Sequence, residues 1–223
     1  MAASGSKFLL VVFDGLRREL ITPERMPNLH RFRCQGVDCP ASRSAMPSET
    51  RVQVSSFVSG CYAGGHGIMG NSFYDPALGF DGPMDTSNLE KMQIAEKRYP
   101  DGVFAAPDLG GLLHQAGLNL VTASTGKIGN ARLLNYHAAA RQQVAYSIHG
   151  PEVSSPAADH AAIEAKFGPV PETDLPHVAV ADYLSTLILE HFIPRHDPDV
   201  LIAWYSEPDM SYHYRGIGST EAN

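Results

Sequence analysis

The chain has 223 residues, 43% of them hydrophobic and 18% charged, which suits one large soluble domain with a proper core. Its net charge of -7, with no lysine–arginine cluster, argues against a nucleic-acid scaffold surface, because neutralising phosphates needs a basic stripe. The three cysteines, Cys34, Cys39 and Cys61, form no Cys-x-x-Cys pair and indicate neither a disulfide framework nor a structural zinc knuckle.

In chain order, Phe8–Phe13 is a continuous β-rich run, which predicts a strand buried on both faces of a mainly parallel sheet. The run is too short to span a membrane, and the charged residues that follow it suit a signal peptide poorly. The chain as written therefore reads as cytoplasmic, or as secreted or periplasmic if a leader has been trimmed. Residues 27–36 predict a helix stopped by Gly36, and a second helix runs from Pro47 to about Gly60 with Val54, Phe57, Val58 and Cys61 on one stripe. The segment 72–106 lies in a stretch rich in Gly, Pro, Asp and Asn and reads as cleft loops with short elements. Asp108 is expected to cap a helix over 109–116, with Gly117 as its stop and a strand over 118–123. Residues 147–176 read as an insertion or lid. Residues 178–192 form an amphipathic helix closed by Pro194, and 199–205 is a third buried strand. Strands alternating with helices predict a single layered α/β domain over 1–223.

Two of the three strands end in acidic residues, at Phe13-Asp14-Gly15 and at Tyr205-Ser206-Glu207-Pro208-Asp209. Ligands of open α/β sheets bind beyond the carboxyl ends of the strands, so Asp14 and Asp209 are candidates to share a crevice. A plain turn is the other reading of Asp14-Gly15. Asp209 and His213, four residues apart, share one face of a helical turn and suit a divalent metal; an ordinary polar loop is the alternative. Met46-Pro47-Ser48-Glu49-Thr50-Arg51 places hydroxyls where a helix begins, either as a cap or as a group poised at a terminus that favours negative charge. Lys127, after the strand at 118–123, either reaches the crevice or stands exposed in a turn.

Taken together, these segments resemble the nucleotide pyrophosphatase/phosphodiesterase branch of the alkaline-phosphatase superfamily and the related phosphonoacetate hydrolases. The resemblance rests on Val12-Phe13-Asp14-Gly15-Leu16-Arg17, Met26-Pro27-Asn28-Leu29, Pro47-Ser48-Glu49-Thr50 through His66-Gly67-Ile68 to Asn71, and Glu207-Pro208-Asp209 with His213. It implies an alkaline-phosphatase-like α/β fold with three α/β/α layers and a mostly parallel sheet. It implies that Thr50 is a nucleophile forming a phospho-enzyme and that the Asn71 amide holds a phosphate oxygen. Asp14 and Thr50 would serve one metal ion and Asp209 and His213 the other, the pair being two divalent ions, zinc first among them. Asp14 with Thr50 is expected on one side of the crevice, Asp209 with His213 on the other. In some relatives a lysine placed like Lys127 contacts an anionic substrate group.

The expected partner is thus a small phosphate ester, a phosphodiester or phosphoanhydride, with neither nucleic acid nor membrane. The alternatives are a phosphonate or phosphomonoester hydrolase on the same site, or an inactive anion-binding fragment. The family's Asp-His-Gly segment and its later histidine are not found in this sequence, so the chain is expected to lack its C-terminal part and a complete metal set. Arg51-Val52-Gln53 stands where relatives carry an apolar-Pro-Asn run.

Overall fold

The computed structural model describes residues 5–157 and 159–220. Strand β1 (Phe8–Phe13) is followed by helices α1 (Pro27–Gln35), α2 (Thr50–Ser59) and α3 (Ala63–His66). Two-residue strands β2 (Ser72–Phe73) and β3 (Met84–Asp85) pair antiparallel before helices α4 (Leu89–Arg98) and α5 (Leu109–Gln115). Strand β4 (Leu120–Ser124), helix α6 (Ile128–Leu134), strand β5 (Val144–Ser147) and helix α7 (Asp159–Phe167) come next. Helix α8 (Val178–Leu187) passes through a π turn (Ile188–Phe192) into α9 (Ile193–His196), and strand β6 (Val200–Tyr205) leads to α10 (Asp209–Arg215). The main sheet is parallel throughout, in the order β1-β6-β4-β5.

Side chains alternate across a strand, and β6 shows what that alternation builds. Ile202 and Trp204 enter a cluster with Val54 and Val58 of α2, Met92 of α4 and Leu133 of α6. Leu201, Ala203 and Tyr205 enter another with Ile163 of α7, Leu184 and Leu187 of α8, and Phe192. Two separate cores on opposite faces of one sheet give the three α/β/α layers. Full burial of each such Leu, Ile or Phe stabilises the fold by ~1.5–3 kcal/mol.

Strand β1 departs from expectation. Leu10 and Val12 pack on the first core, but Leu9, Val11 and Phe13 stay 57%, 40% and 39% exposed. Among the described residues β1 pairs only with β6, and none of its residues belongs to the second core, so it is buried on one face alone. On α2 the buried stripe is Val54 and Val58 with Val52 and Ser55, while Phe57 is 42% exposed. Pro194 does not close its helix: it lies inside α9, which continues to His196 and stops at Asp197 with φ 41°. Proline has no N–H for the preceding turn, and the π turn just before it takes up the mismatch. The two supposed loop regions also hold helices, α4 within 72–106 and α7 within 147–176. Asp108 caps α5 through the Gly111 N–H and binds Arg141 with both carboxylate oxygens, at 2.5 and 2.7 Å.

Candidate active site at the strand ends

The loops leaving β1 and β6 are joined backbone to backbone. The Asp14 N–H donates to the Tyr205 carbonyl, and the Asp209 N–H donates to the Asp14 carbonyl, each at 2.9 Å. Gly15, at φ +75°, sits so close that an added Cβ would lie 3.1 Å from the Asp209 Cα and Cβ, so only glycine lets the two loops meet. The acidic residues predicted at separate strand ends are therefore side by side, not on opposite walls.

Helix α2 presents Thr50 as its first residue. Glu49 is the N-cap, with extended backbone and no side-chain cap bond, and the Ser48 hydroxyl accepts from Ser44. Thr50 is thus not spent on capping: its Oγ1 donates to Asp14 Oδ2 at 3.2 Å, the oxygen that also accepts from Trp204 Nε1 at 3.4 Å. Burial, with the adjacent Asp209 charge adding to it, pushes the Asp14 carboxyl up to about 6.

Asn71 is held from several directions. Its N–H donates to Glu49 Oε2, its Oδ1 accepts from the Arg51 N–H at 3.0 Å, and its carbonyl accepts from the Arg51 guanidinium at 3.1 Å and from Thr86 Oγ1 at 2.9 Å. The amide Nδ2 is left without a partner among the described residues. Asp14, Thr50, Asn71, Lys127, Asp209 and His213 all line one cavity of about 480 Å³, so every site residue singled out in the sequence reaches it. They do not share it equally. His213 is largely exposed and lies 3.5 Å from Asp209 Oδ2, and Lys127 is exposed at the rim.

Among the other lining residues, Arg51, Asp85 and Asn130 were not singled out as site residues in the sequence. Arg51 is only 9% exposed and also binds Asp85 Oδ1 at 3.2 Å, so it pins the β2–β3 hairpin to α2 beside the cavity. In the sequence it stood out only as the neighbour of Thr50 and as a departure from the family's apolar-Pro-Asn run. Glu207 has a structural task, accepting from the N–H groups of His177 and Ser211.

The fit to metal is one of kind and not of number. Two neighbouring carboxylates, one of them pushed toward its protonated form, call for a cation. Yet the described residues contain no group of three or more His, Cys, Asp or Glu side chains able to hold one. Catalytic zinc normally takes three protein ligands, so these residues do not complete the site for a pair of ions.

The raised Asp14 carboxyl carries a stability consequence. Between pH ~3.8 and ~6 the folded chain binds a proton that the unfolded chain has lost, so metal-free stability falls as pH rises through that window and stays low above it. Asp14→Asn removes this penalty. In chelator, thermal unfolding is expected to show the variant more stable at pH 7 by on the order of 2–3 kcal/mol, with the gap closing below pH ~4. A variant no more stable at pH 7 would show that Asp14 is not held against its charge.

A model of the type I phosphodiesterase / nucleotide pyrophosphatase family matches residues 8–223. Among curated proteins, a bis(5'-adenosyl)-triphosphatase of Xenopus laevis is 37% identical over 73 residues, 33% of this chain and 16% of that protein. A venom phosphodiesterase of Naja atra is 31% identical over 86 residues, 38% of this chain and 10% of that protein. Among solved structures, phosphonoacetate hydrolase from Sinorhizobium meliloti 1021 superposes with a TM-score of 0.69 at 21% identity, covering 97% of this chain and 49% of that one. Murine ectonucleotide pyrophosphatase/phosphodiesterase 5, an inactive variant in complex with AMP, gives 0.58 at 20% identity, covering 96% and 47%. The chain spans about half the length of these solved relatives, and its likeness to them is one of fold: a mixed α/β domain with a mostly parallel sheet. No helix among the described residues is long and apolar enough to cross a membrane.

Proposed function

The chain belongs to the type I phosphodiesterase / nucleotide pyrophosphatase family, and from that membership we propose that it hydrolyses a phosphodiester or phosphoanhydride through a covalent intermediate on Thr50. The observation that carries this reading is the Thr50 Oγ1–Asp14 Oδ2 hydrogen bond at the cavity. The bond directs the hydroxyl proton toward a carboxylate able to take it and leaves the oxygen's lone pairs for an incoming phosphorus. Attack forms the Thr50 O–P bond and breaks the bond to the leaving oxygen. Water then cleaves the phosphothreonine and returns the hydroxyl. The Asn71 Nδ2–H group is suited to donate to a non-bridging phosphoryl oxygen, and Arg51 holds that amide in place.

Dependence on divalent metal is part of the same proposal. Asp14 and Thr50, with Asp209 and His213, would be the donors offered to zinc, which would lend positive charge to the cleft. With about two donors for each ion, residues 1–223 are expected to bind zinc weakly and to turn over slowly. Zinc titration of the purified chain, followed by bis-p-nitrophenyl phosphate hydrolysis, tests both points. Slow hydrolysis that needs excess zinc and stops with chelator is the expected result. No hydrolysis at saturating zinc would sink the activity, and two tightly held ions with fast turnover would sink the donor count.

A further inference from the structure

Strand β1 ends the main sheet, and its outer edge is open. The Phe8 N–H donates to the Asp199 carbonyl at 2.8 Å and the Asp14 N–H to the Tyr205 carbonyl at 2.9 Å, so the even-numbered residues turn their backbone groups toward β6. Alternation then points the backbone groups of Leu9, Val11 and Phe13 away from the sheet. Among the described residues only the Phe13 carbonyl has a partner on that side, the Leu16 N–H at 3.2 Å. The same three residues carry the side chains that the second core leaves exposed. Soluble proteins guard such edges with lysine, proline or a bulge. Phe8–Phe13 has no charged residue and no proline, and its ladder with β6 runs in unbroken register.

We propose that in the 223-residue chain this edge binds a second copy of itself, joining two parallel sheets through one antiparallel junction. A second copy is the occupant because the edge is self-complementary. A two-fold axis perpendicular to the sheet opposes odd-numbered residues to odd-numbered ones, and these own the free backbone groups. The register that pairs all three puts Val11 on the axis, facing the partner's Val11, and sets Leu9 against the partner's Phe13. Four backbone bonds follow: Val11 N–H to the carbonyl of the partner's Val11 and Phe13 N–H to that of the partner's Leu9, each made twice. The exposed side chains then form one apolar stripe of aliphatic and aromatic cross-strand pairs. Each copy has a net charge of -7, yet the strands that meet are uncharged, so the ladder opposes no like charges. Two six-residue strands bury less than the ~1,600 Å² of a standard interface, so the dimer is weak and exchanges with monomer. The two Asp14 positions lie about 20 Å apart along the strands, at opposite ends of the junction, and each cleft stays open.

Sedimentation velocity on the chain from about 1 to about 200 µM tests this. The average mass is expected to rise from 24.1 kDa toward twice that value. Val11→Lys sets like charges against each other across the axis and is expected to stay monomeric throughout, as is Val11→Glu. Both lie on the uncovered face, so circular dichroism should show the fold retained. An equimolar mixture of the two variants is expected to dimerise again, because lysine then faces glutamate. Leu9→Lys, on the same face, is the second variant should those at Val11 unfold, and it too is expected to be monomeric. A chain that is monomeric at every concentration overturns the proposal, and so do undiminished dimers in a folded Val11→Lys or Leu9→Lys. Charge variants that are each monomeric and stay so when mixed overturn the pairing at Val11. A monomer that floats with phosphatidylcholine vesicles would assign the stripe to a membrane and overturn the proposal as well.

Discussion

Replacing Thr50 with alanine is expected to lower phosphodiester hydrolysis by at least about 10³-fold with excess zinc present, and to leave the fold intact. The loss follows from the proposed role of the Thr50 hydroxyl, which donates to Asp14 at the cavity, whereas Ser48 accepts from Ser44. The fold should survive because Thr50 is not buried in either core and its side chain makes a single hydrogen bond, to a carboxylate that keeps Trp204 as a donor. Rates by p-nitrophenolate release and secondary structure by circular dichroism separate the two effects. A variant that retains more than about a tenth of the rate would show that another group attacks.

The second large effect is expected at Gly129. This residue is buried in α6, and a Cβ there would lie 2.5 Å from the Thr86 carbonyl oxygen and 2.7 Å from Arg51 Cδ. Backbone oxygen cannot swing away as a flexible side chain does, so Gly129→Ala must move α6, the Thr86 strand end or Arg51. Overpacking of this kind costs about 1–3 kcal/mol, which for a chain of this length lowers Tm by several degrees. Because Arg51 holds Asn71 and Asp85, the shift should also reach the cavity and displace the Asn71 amide proposed to bind a phosphoryl oxygen. Gly64→Ala in α3 is the control: nothing stands within 4 Å of its added Cβ, so unfolding should be almost unchanged. Equal melting temperatures for the two variants would contradict the tight approach at Gly129.

Residues whose roles depend on local chemistry were legible in the sequence. Asp108 announced a helix start by its type and by the apolar residues after it, and its carboxylate does accept from the first turn. The buried strand β6 and the amphipathic α8 were visible because a helix stripe or an unbroken apolar run persists over many residues. Short elements gave less. β5 has four residues, and α4 was masked by neighbouring Gly and Pro even though Asn88 caps it and Met92 and Ala95 form its buried face.

What could not be read was set by distant partners. The exposure of Leu9 and Val11 depends on which helices cover which strands, not on their own apolar character. Arg51 looked like a departure from the family pattern, and only the approach of the β2–β3 hairpin shows that it ties Asn71 to Asp85. Likewise, the motifs at Asp14 and Asp209 indicated a shared crevice, but the backbone bond that sets them side by side came from the folded chain.

The most direct test of the central claim is to trap the intermediate. The chain would be mixed with excess phosphodiester and zinc, quenched in acid before water can release the phosphoryl group, and mapped by peptide mass spectrometry. The account predicts a phosphoryl-containing adduct on Thr50, absent from Thr50→Ala. Turnover with no adduct, or with the adduct on Ser48, Ser206 or another residue, would contradict it.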